Sequence, residues 1–219
     1  MPWCNPLQSR RSTDGSSSGI YCSRRSTLLS MMTARHVHYP YEDYLSALET
    51  SEIKLEYCDG EIYAMAGGTP VHAELAASVT RLLGQALLGR CRVFSSGLKV
   101  RIEATDLSTF PDVTVVCGEP QFAVIDRNAL VNPTLLVEVT SSSTEDYDRG
   151  EKFSHYKQLQ SLQAVLYVSH RTQRLTLLRR APKGWETLEF RTGERLELSQ
   201  PALPLAVDEV YAGVTLDRR

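Results

Sequence analysis

Two acidic residues stand where hydrophobic strands should not hold them. Asp112 opens the run Val113-Thr-Val-Val directly after Pro111, and Glu138 interrupts Leu135-Leu-Val-Glu-Val-Thr. Proline is tolerated at that first position because the residue opening a strand need not donate to the ladder. Burying a carboxylate among such neighbours is costly unless it is paired, hydrogen-bonded or bound to metal. An arginine or backbone amides holding Glu138 is the purely structural alternative. Strand alternation puts Leu136, Glu138 and Thr140 on one face and Leu135, Val137 and Val139 on the other. If the two strands are neighbours, Asp112 and Glu138 converge near one sheet edge. Two convergent carboxylates suit a hard cation such as Mg²⁺ or Mn²⁺. Such an ion polarises a phosphodiester and lowers the pKa of a bound water.

Five other side chains are candidates to support that chemistry, and each has a local alternative. Lys152 follows the Glu138 strand and has the length to reach back to it, in which case it matters more to chemistry than to stability. Asp148 and Glu151, however, are spaced like a helix capping box, and Asp148 with Lys152 has the spacing of an exposed i,i+4 ion pair. Glu56 lies in an early strand, as a further metal ligand or a solvated acid. His72 opens a long helix, as a catalytic group or a hydrogen-bonding residue of the helix start. Lys99 and Arg101 alternate with Leu98, Val100 and Ile102, as a phosphate-contacting edge or a solvent-facing one.

The elements that must position these groups follow from periodicity. Tyr41, Tyr44, Leu45 and Leu48 share one side of a short helix. Ile53–Tyr57 and Glu61–Met65 flank Asp59-Gly60, a pair suited to a tight hairpin turn. A helix over about Val71–Leu88 has Leu75, Val79, Leu82, Leu83 and Ala86 as its apolar face, with Gly89 as its C-cap. Strands are expected at Arg92–Ser95, Leu98–Glu103, Asp112–Cys117 and Thr134–Thr140. A helix over Arg149–Leu162 precedes strands at Ala164–Ser169, Arg174–Arg180 and Trp185–Phe190. This order predicts an α/β (α+β) architecture, with helices flanking a mixed central sheet.

Composition narrows the remaining choices. A chain of 219 residues, 42% of them hydrophobic, suits one globular domain. No stretch approaches the length of a membrane-spanning helix. The formal net charge is −2, yet residues 1–35 hold five arginines and one acid, Asp14, so the body is the more acidic part. Any nucleic-acid contact then needs a local basic patch or a bound cation. Residues 1–34, rich in Ser and Arg, have no sustained period and read as disordered, leaving 35–219 as the domain. Their composition superficially fits a transit peptide. An upstream start before Met31 and Met32 is the favoured reading, since no amphipathic stripe is present. Five scattered cysteines read as reduced thiols of a cytoplasmic protein, with Cys91 and Cys117 as core residues.

Phe110-Pro-Asp-Val-Thr-Val-Val, Leu135-Leu-Val-Glu-Val-Thr-Ser-Ser-Ser-Thr and Asp148-Arg-Gly-Glu-Lys-Phe-Ser-His-Tyr resemble the Uma family of restriction-endonuclease-like proteins. That family lies within the PD-(D/E)XK nuclease superfamily. Leu55-Glu-Tyr-Cys-Asp-Gly-Glu-Ile-Tyr-Ala-Met, Thr69-Pro-Val-His-Ala-Glu and Leu98-Lys-Val-Arg-Ile add to the resemblance, which spans Tyr41 to about Asp217. It implies a restriction-endonuclease-like fold and a Mg²⁺- or Mn²⁺-dependent endonuclease acting on nucleic acid, DNA before RNA, as a homodimer. Asp112 matches the acid of the PD pair and Glu138 the second acid. The lysine of the second motif would fall at Thr140, and Lys152 takes its place by resemblance. Glu56 and His72 match supporting positions. The chain departs from the pattern at Val165-Leu-Tyr-Val-Ser-His and at Ser141-Ser-Ser-Thr. Two rival functions belong to other classes: a catalytically inactive module that binds nucleic acid or protein, favoured by the missing lysine at Thr140 and the acidic body, and a metal-dependent enzyme for a small phosphate ester, which a groove too narrow for a duplex would favour.

Overall fold

The computed structural model describes residues 37–65, 67–140 and 148–216. The segment 1–34, expected to lack order, lies outside the described residues.

Two sheets stack across a shared core. The first contains β1 (Leu55–Cys58), β2 (Glu61–Ala64), β4 (Lys99–Ile102), β5 (Leu107–Thr109) and β7 (Ala129–Leu130), in the order β2-β1-β5-β4-β7. The second contains β3 (Arg92–Ser95), β6 (Val113–Val116), β8 (Leu135–Thr140), β9 (Ala164–Ser169), β10 (Arg174–Ala181) and β11 (Gly184–Arg191). Its order is β11-β10-β9-β8-β6-β3. It is mixed, because β8 and β9 run parallel and its other pairings are antiparallel. A hairpin of β12 (Arg195–Ser199) and β13 (Ala202–Ala206) completes the strands.

Alternation along the second sheet sets its two faces. Val113, Val115, Leu135, Val137, Val139, Leu166 and Val168 pack with Leu75, Val79, Leu83 and Leu87 of α2 (Pro70–Ala86) and its C-terminal turn. The β12–β13 hairpin shares this core. Leu136, Val165, Tyr167 and Leu178 point the other way, toward Cys58, Val100, Ile102 and Leu107 of the first sheet. The far face of the first sheet is covered by α1 (Tyr41–Thr50), whose Tyr41 and Tyr44 pack on Tyr57 of β1.

Local chemistry explains several boundaries. Asp59 and Gly60 both have positive φ, 45° and 84°, as a tight hairpin turn between twisted strands requires. Thr69 caps α2 by accepting from the His72 N–H at 3.2 Å, and Pro70 takes the first helical position. At the other end α2 stops at Ala86, with Leu87 as its cap, while Gly89 sits further on in the following turn with φ of 73°.

The expected helix over Arg149–Leu162 is much shorter. One wide turn (Asp148–Lys152) leads into α3 (Phe153–Tyr156), and the chain then continues in tight turns. Leu159 and Leu162 bond to carbonyls three residues back, Tyr156 and Leu159. The Arg180 guanidinium takes the Leu159 and Leu162 carbonyls at 3.1 and 3.0 Å. A last short helix, α4 (Val207–Val210), follows β13.

The cysteine reading needs correction. Cys91 and Cys117 form a disulfide, with Cα atoms 4.3 Å apart. They stand one step beyond the Arg92↔Val116 pair of β3 and β6, directly opposite each other. Disulfides are rare in reducing compartments, so cysteine usage no longer argues for a cytoplasmic protein. Cys58 is buried in the core between the sheets, apart from this disulfide. Among the described residues no helix is long and apolar enough to cross a membrane.

Candidate active site

The chain changes sheets at Phe110-Pro111-Asp112, between β5 of the first sheet and β6 of the second. Asp112 is therefore placed where the two layers meet. Antiparallel β6 and β8 pair Val113 with Val137, and the next step of that register sets Asp112 opposite Glu138. The Val139 N–H donates to Asp112 Oδ2 at 2.8 Å, which ties the acid to the partner strand. His72, on the first turn of α2, places Nε2 3.2 Å from the same oxygen. Gly68 makes room for that ring, since a Cβ there would stand 2.8 Å from His72 Nδ1.

Glu138 is 5% exposed and lies on the face shared with Leu136. Parallel strands cannot be joined by a tight turn and need a crossover connection. The crossover from β8 to β9 brings Lys152 and Tyr156 back over this face, where Tyr156 packs with Leu136, Val165 and Tyr167. Lys152 Nζ is 2.9 Å from Glu138 Oε1, and the Tyr156 hydroxyl donates to the same oxygen at 2.5 Å. Burial pushes the Tyr156 phenol well above its ordinary pKa, the Glu138 charge adds to this, and the Lys152 charge opposes it. The expected choice for Lys152 between a reach toward the acids and an exposed ion pair is resolved in geometry: it is 6% exposed and salt-bridged to Glu138.

Glu56 is no solvated acid. It is 7% exposed, and its Oε1 accepts from the Thr109 hydroxyl and from the Phe110 N–H at 3.2 Å. It thus braces the segment leading into Asp112, and its charge is felt at the Tyr156 hydroxyl. Among the described residues no group of three or more His, Cys, Asp or Glu side chains is arranged to hold a metal ion. Glu56, expected as a further ligand, has its Oε1 turned to Thr109 and Phe110.

Lys99 is placed elsewhere. Val100 and Ile102 face the second sheet, so Lys99 and Arg101 face α1, away from Glu138. Lys99 Nζ lies 2.6 Å from Asp126 Oδ2 and 5.2 Å from the centre of the Tyr44 ring. Arg101 pairs with Asp106 and stacks on Tyr41, 3.9 Å from the ring centre. Both cations are buried, so neither forms a solvent face or an edge open to phosphate. Thr140 supplies no cation, and its hydroxyl faces the Val168 carbonyl at 3.5 Å.

Sequence reasoning overlooked Tyr156. A signal was present, since Tyr156 lies four residues after Lys152, the spacing that puts two side chains on one side of a helical turn.

The sequence profile of the Uma2 family, described as "Putative restriction endonuclease", matches residues 41–209. The chain belongs to the Uma2 family. Within it, the chain is 39% identical over 178 residues to the uncharacterized protein slr1290 of Synechocystis, covering 79% of this chain and 91% of that one. A second uncharacterized Synechocystis protein, sll1609, is 32% identical over 127 residues, covering 58% of this chain and 72% of that one. The Uma2 chain also shares its fold with a crystal structure from Anabaena variabilis titled as that of "a putative nuclease belonging to DUF820". The TM-score is 0.65 at 18% identity, over 79% of this chain and 98% of the other. The restriction-endonuclease-like reading of the Uma2 fold stands, and the family supports a nuclease.

Proposed function

We propose that this chain is a divalent-metal-dependent endonuclease that hydrolyses phosphodiester bonds of DNA as a homodimer. The observation that carries the reading is Asp112 tied to the Glu138 strand through the Val139 N–H, one residue beyond the Val113↔Val137 pair, with Lys152 salt-bridged to Glu138. The donor set fits the ion. Mg²⁺ keeps several waters and is held by one or two carboxylates plus substrate phosphates, so two hard oxygen ligands without a third suit it. Bound between Asp112 and Glu138, such an ion would polarise the phosphodiester and lower the pKa of a water.

The protein's own groups do the rest. Lys152 is fixed beside Glu138, where its ammonium is positioned to stabilise charge that develops on phosphate oxygens. His72 and the Val139 N–H hold Asp112 in place, and Glu56 holds the strand that delivers it. Cutting both strands of a duplex calls for two such sites related by a two-fold axis. The inactive-module reading draws on Thr140. The buried Lys152 beside Glu138 favours activity, because it restores the cation that Thr140 lacks.

The test is cleavage of supercoiled plasmid in Mg²⁺, with and without EDTA, by wild type and Glu138→Gln. Cleavage by the wild type, lost in EDTA and in the variant, is expected. Cleavage that survives chelation contradicts the metal reading, and plasmid binding without cleavage supports the inactive module. Sedimentation at micromolar concentration should give a dimer.

A further inference from the structure

An acidic body needs a local cation to hold a phosphate backbone. Lys99, Arg101 and Lys152 are buried, and each is paired with an acid. Lys54 is exposed, and among the described residues no acid pairs with it. Its ammonium donates to the Ser96 carbonyl at 2.5 Å and to the Ser96 hydroxyl at 3.1 Å, and lies 5.5 Å from the centre of the Phe110 ring. Both partners flank Asp112. Phe110 precedes it by two residues, and Ser96 lies one residue beyond the Ser95↔Val113 pair of β3 and β6. Resting on the nuclease reading above, we propose that Lys54 binds a backbone phosphate of the duplex, next to the one held for cleavage.

Strand alternation delivers Lys54 to this place. It continues the β1–β2 ladder, its carbonyl accepting from the Met65 N–H at 2.9 Å. Leu55 and Tyr57 pack toward α1, so Lys54, Glu56 and Cys58 share the face toward the second sheet. Glu56 and Cys58 are buried there, while Lys54 ends that face in solvent. In the second sheet β6 lies between β8 and β3. Lys152 is bound to Glu138 of β8 and Lys54 to the turn after β3, so the two ammonium groups lie on opposite sides of the Asp112 strand. A lysine ammonium has three donors, and Ser96 takes two, which leaves a third for a phosphate oxygen. Holding this flexible side chain in place beforehand lowers the ordering cost of binding.

The experiment measures binding of the full chain to a fluorescent DNA duplex with hydrolysis-resistant phosphorothioate linkages, by anisotropy, at fixed Mg²⁺ and varied KCl. Losing one phosphate contact lowers the slope of log affinity against log salt by about 1. Lys54→Gln should bind more weakly and show that smaller slope. Lys54→Arg keeps the charge and should keep the wild-type slope. Lys183→Gln makes the same charge change on the exposed turn between β10 and β11, at the end of the second sheet away from Glu138, and should also keep the wild-type slope. An unchanged slope in Lys54→Gln, whatever its thermal midpoint, marks Lys54 as a tether of the turn after β3 and overturns the inference. Equal slope changes in Lys54→Gln and Lys183→Gln overturn it as well, since net charge alone would then explain them. Either result leaves the nuclease reading intact. A wild-type chain that binds no duplex overturns the nuclease reading, and the inference falls with it.

Discussion

The molecule contains the same three-residue arrangement twice. In one, Glu138 Oε1 takes Lys152 at 2.9 Å and the Tyr156 hydroxyl at 2.5 Å. In the other, Asp126 Oδ2 takes Lys99 at 2.6 Å and the Tyr41 hydroxyl at 2.8 Å. Both lysines and both acids are nearly inaccessible. What differs is the surroundings. Glu138 stands opposite a second carboxylate, Asp112, at the crossing between the sheets. Asp126 is surrounded by the α1 tyrosines and Ser108, which shares the Tyr41 hydroxyl at 2.8 Å. A buried lysine on an acid is therefore no evidence of a site by itself. The second, convergent acid makes the first trio a candidate for metal chemistry and leaves the other as scaffold.

Removing each lysine should separate the two trios. Lys152→Met is expected to slow plasmid cleavage by a factor on the order of a hundred or more, the scale of losing a positioned donor to developing charge. It should also cost about 3–5 kcal/mol of stability, because it leaves a buried carboxylate without its cation. This replaces the expectation, drawn from sequence, that Lys152 bears little on stability. Lys99→Met should lose a similar 3–5 kcal/mol and keep wild-type cleavage per folded molecule. Denaturant melts paired with single-turnover rates check both. Equal loss of cleavage in the two variants would erase the distinction.

Glu56→Gln should act on the site more gently. Exchanging a charged acceptor for a neutral one at Thr109 and Phe110 should cost about 1–3 kcal/mol, with a smaller loss of cleavage than Lys152→Met. A loss as large as that of Asp112→Asn would promote Glu56 from brace to ligand.

The least intrusive test is alkaline titration of the scaffold side. Burial raises the pKa of Tyr41, Tyr44 and Tyr57 above the ordinary 10.0. A raised folded pKa favours the protonated form. The stability these groups contribute is then complete below pH 10, where the unfolded chain ionises, and is lost as pH rises through the folded values. Phenolate absorbance from this cluster should appear only with loss of the fold. Ionisation near pH 10 in the folded protein would contradict the buried cluster.

Much of the site could be read from the chain because it is built on long alternating strands. Leu135–Thr140 alternates so strictly that Glu138 had to share a face with Leu136, and Pro111 marked where Asp112 begins its strand. Lys99 was misplaced because alternation reports two faces without saying what covers either, and its partner Asp126 comes from a distant loop. The strands Leu107–Thr109 and Ala129–Leu130 are too short to carry a period. The β12–β13 hairpin does alternate, through Leu196 and Leu198 against Leu203 and Leu205, but Pro201 and Pro204 obscure it. Arg180 ends the Lys152 crossover early from a strand far along the chain, a tertiary contact no local pattern announces.

Two aspartates separate the two regions, Asp112 beside the Glu138 trio and Asp126 within the other. Asp112→Asn and Asp126→Asn should be assayed side by side for Mg²⁺-dependent plasmid cleavage, below both thermal midpoints and normalised to folded protein. The account predicts that Asp112→Asn abolishes cleavage, whereas Asp126→Asn is less stable and cuts at the wild-type rate. Wild-type cleavage by folded Asp112→Asn would contradict it.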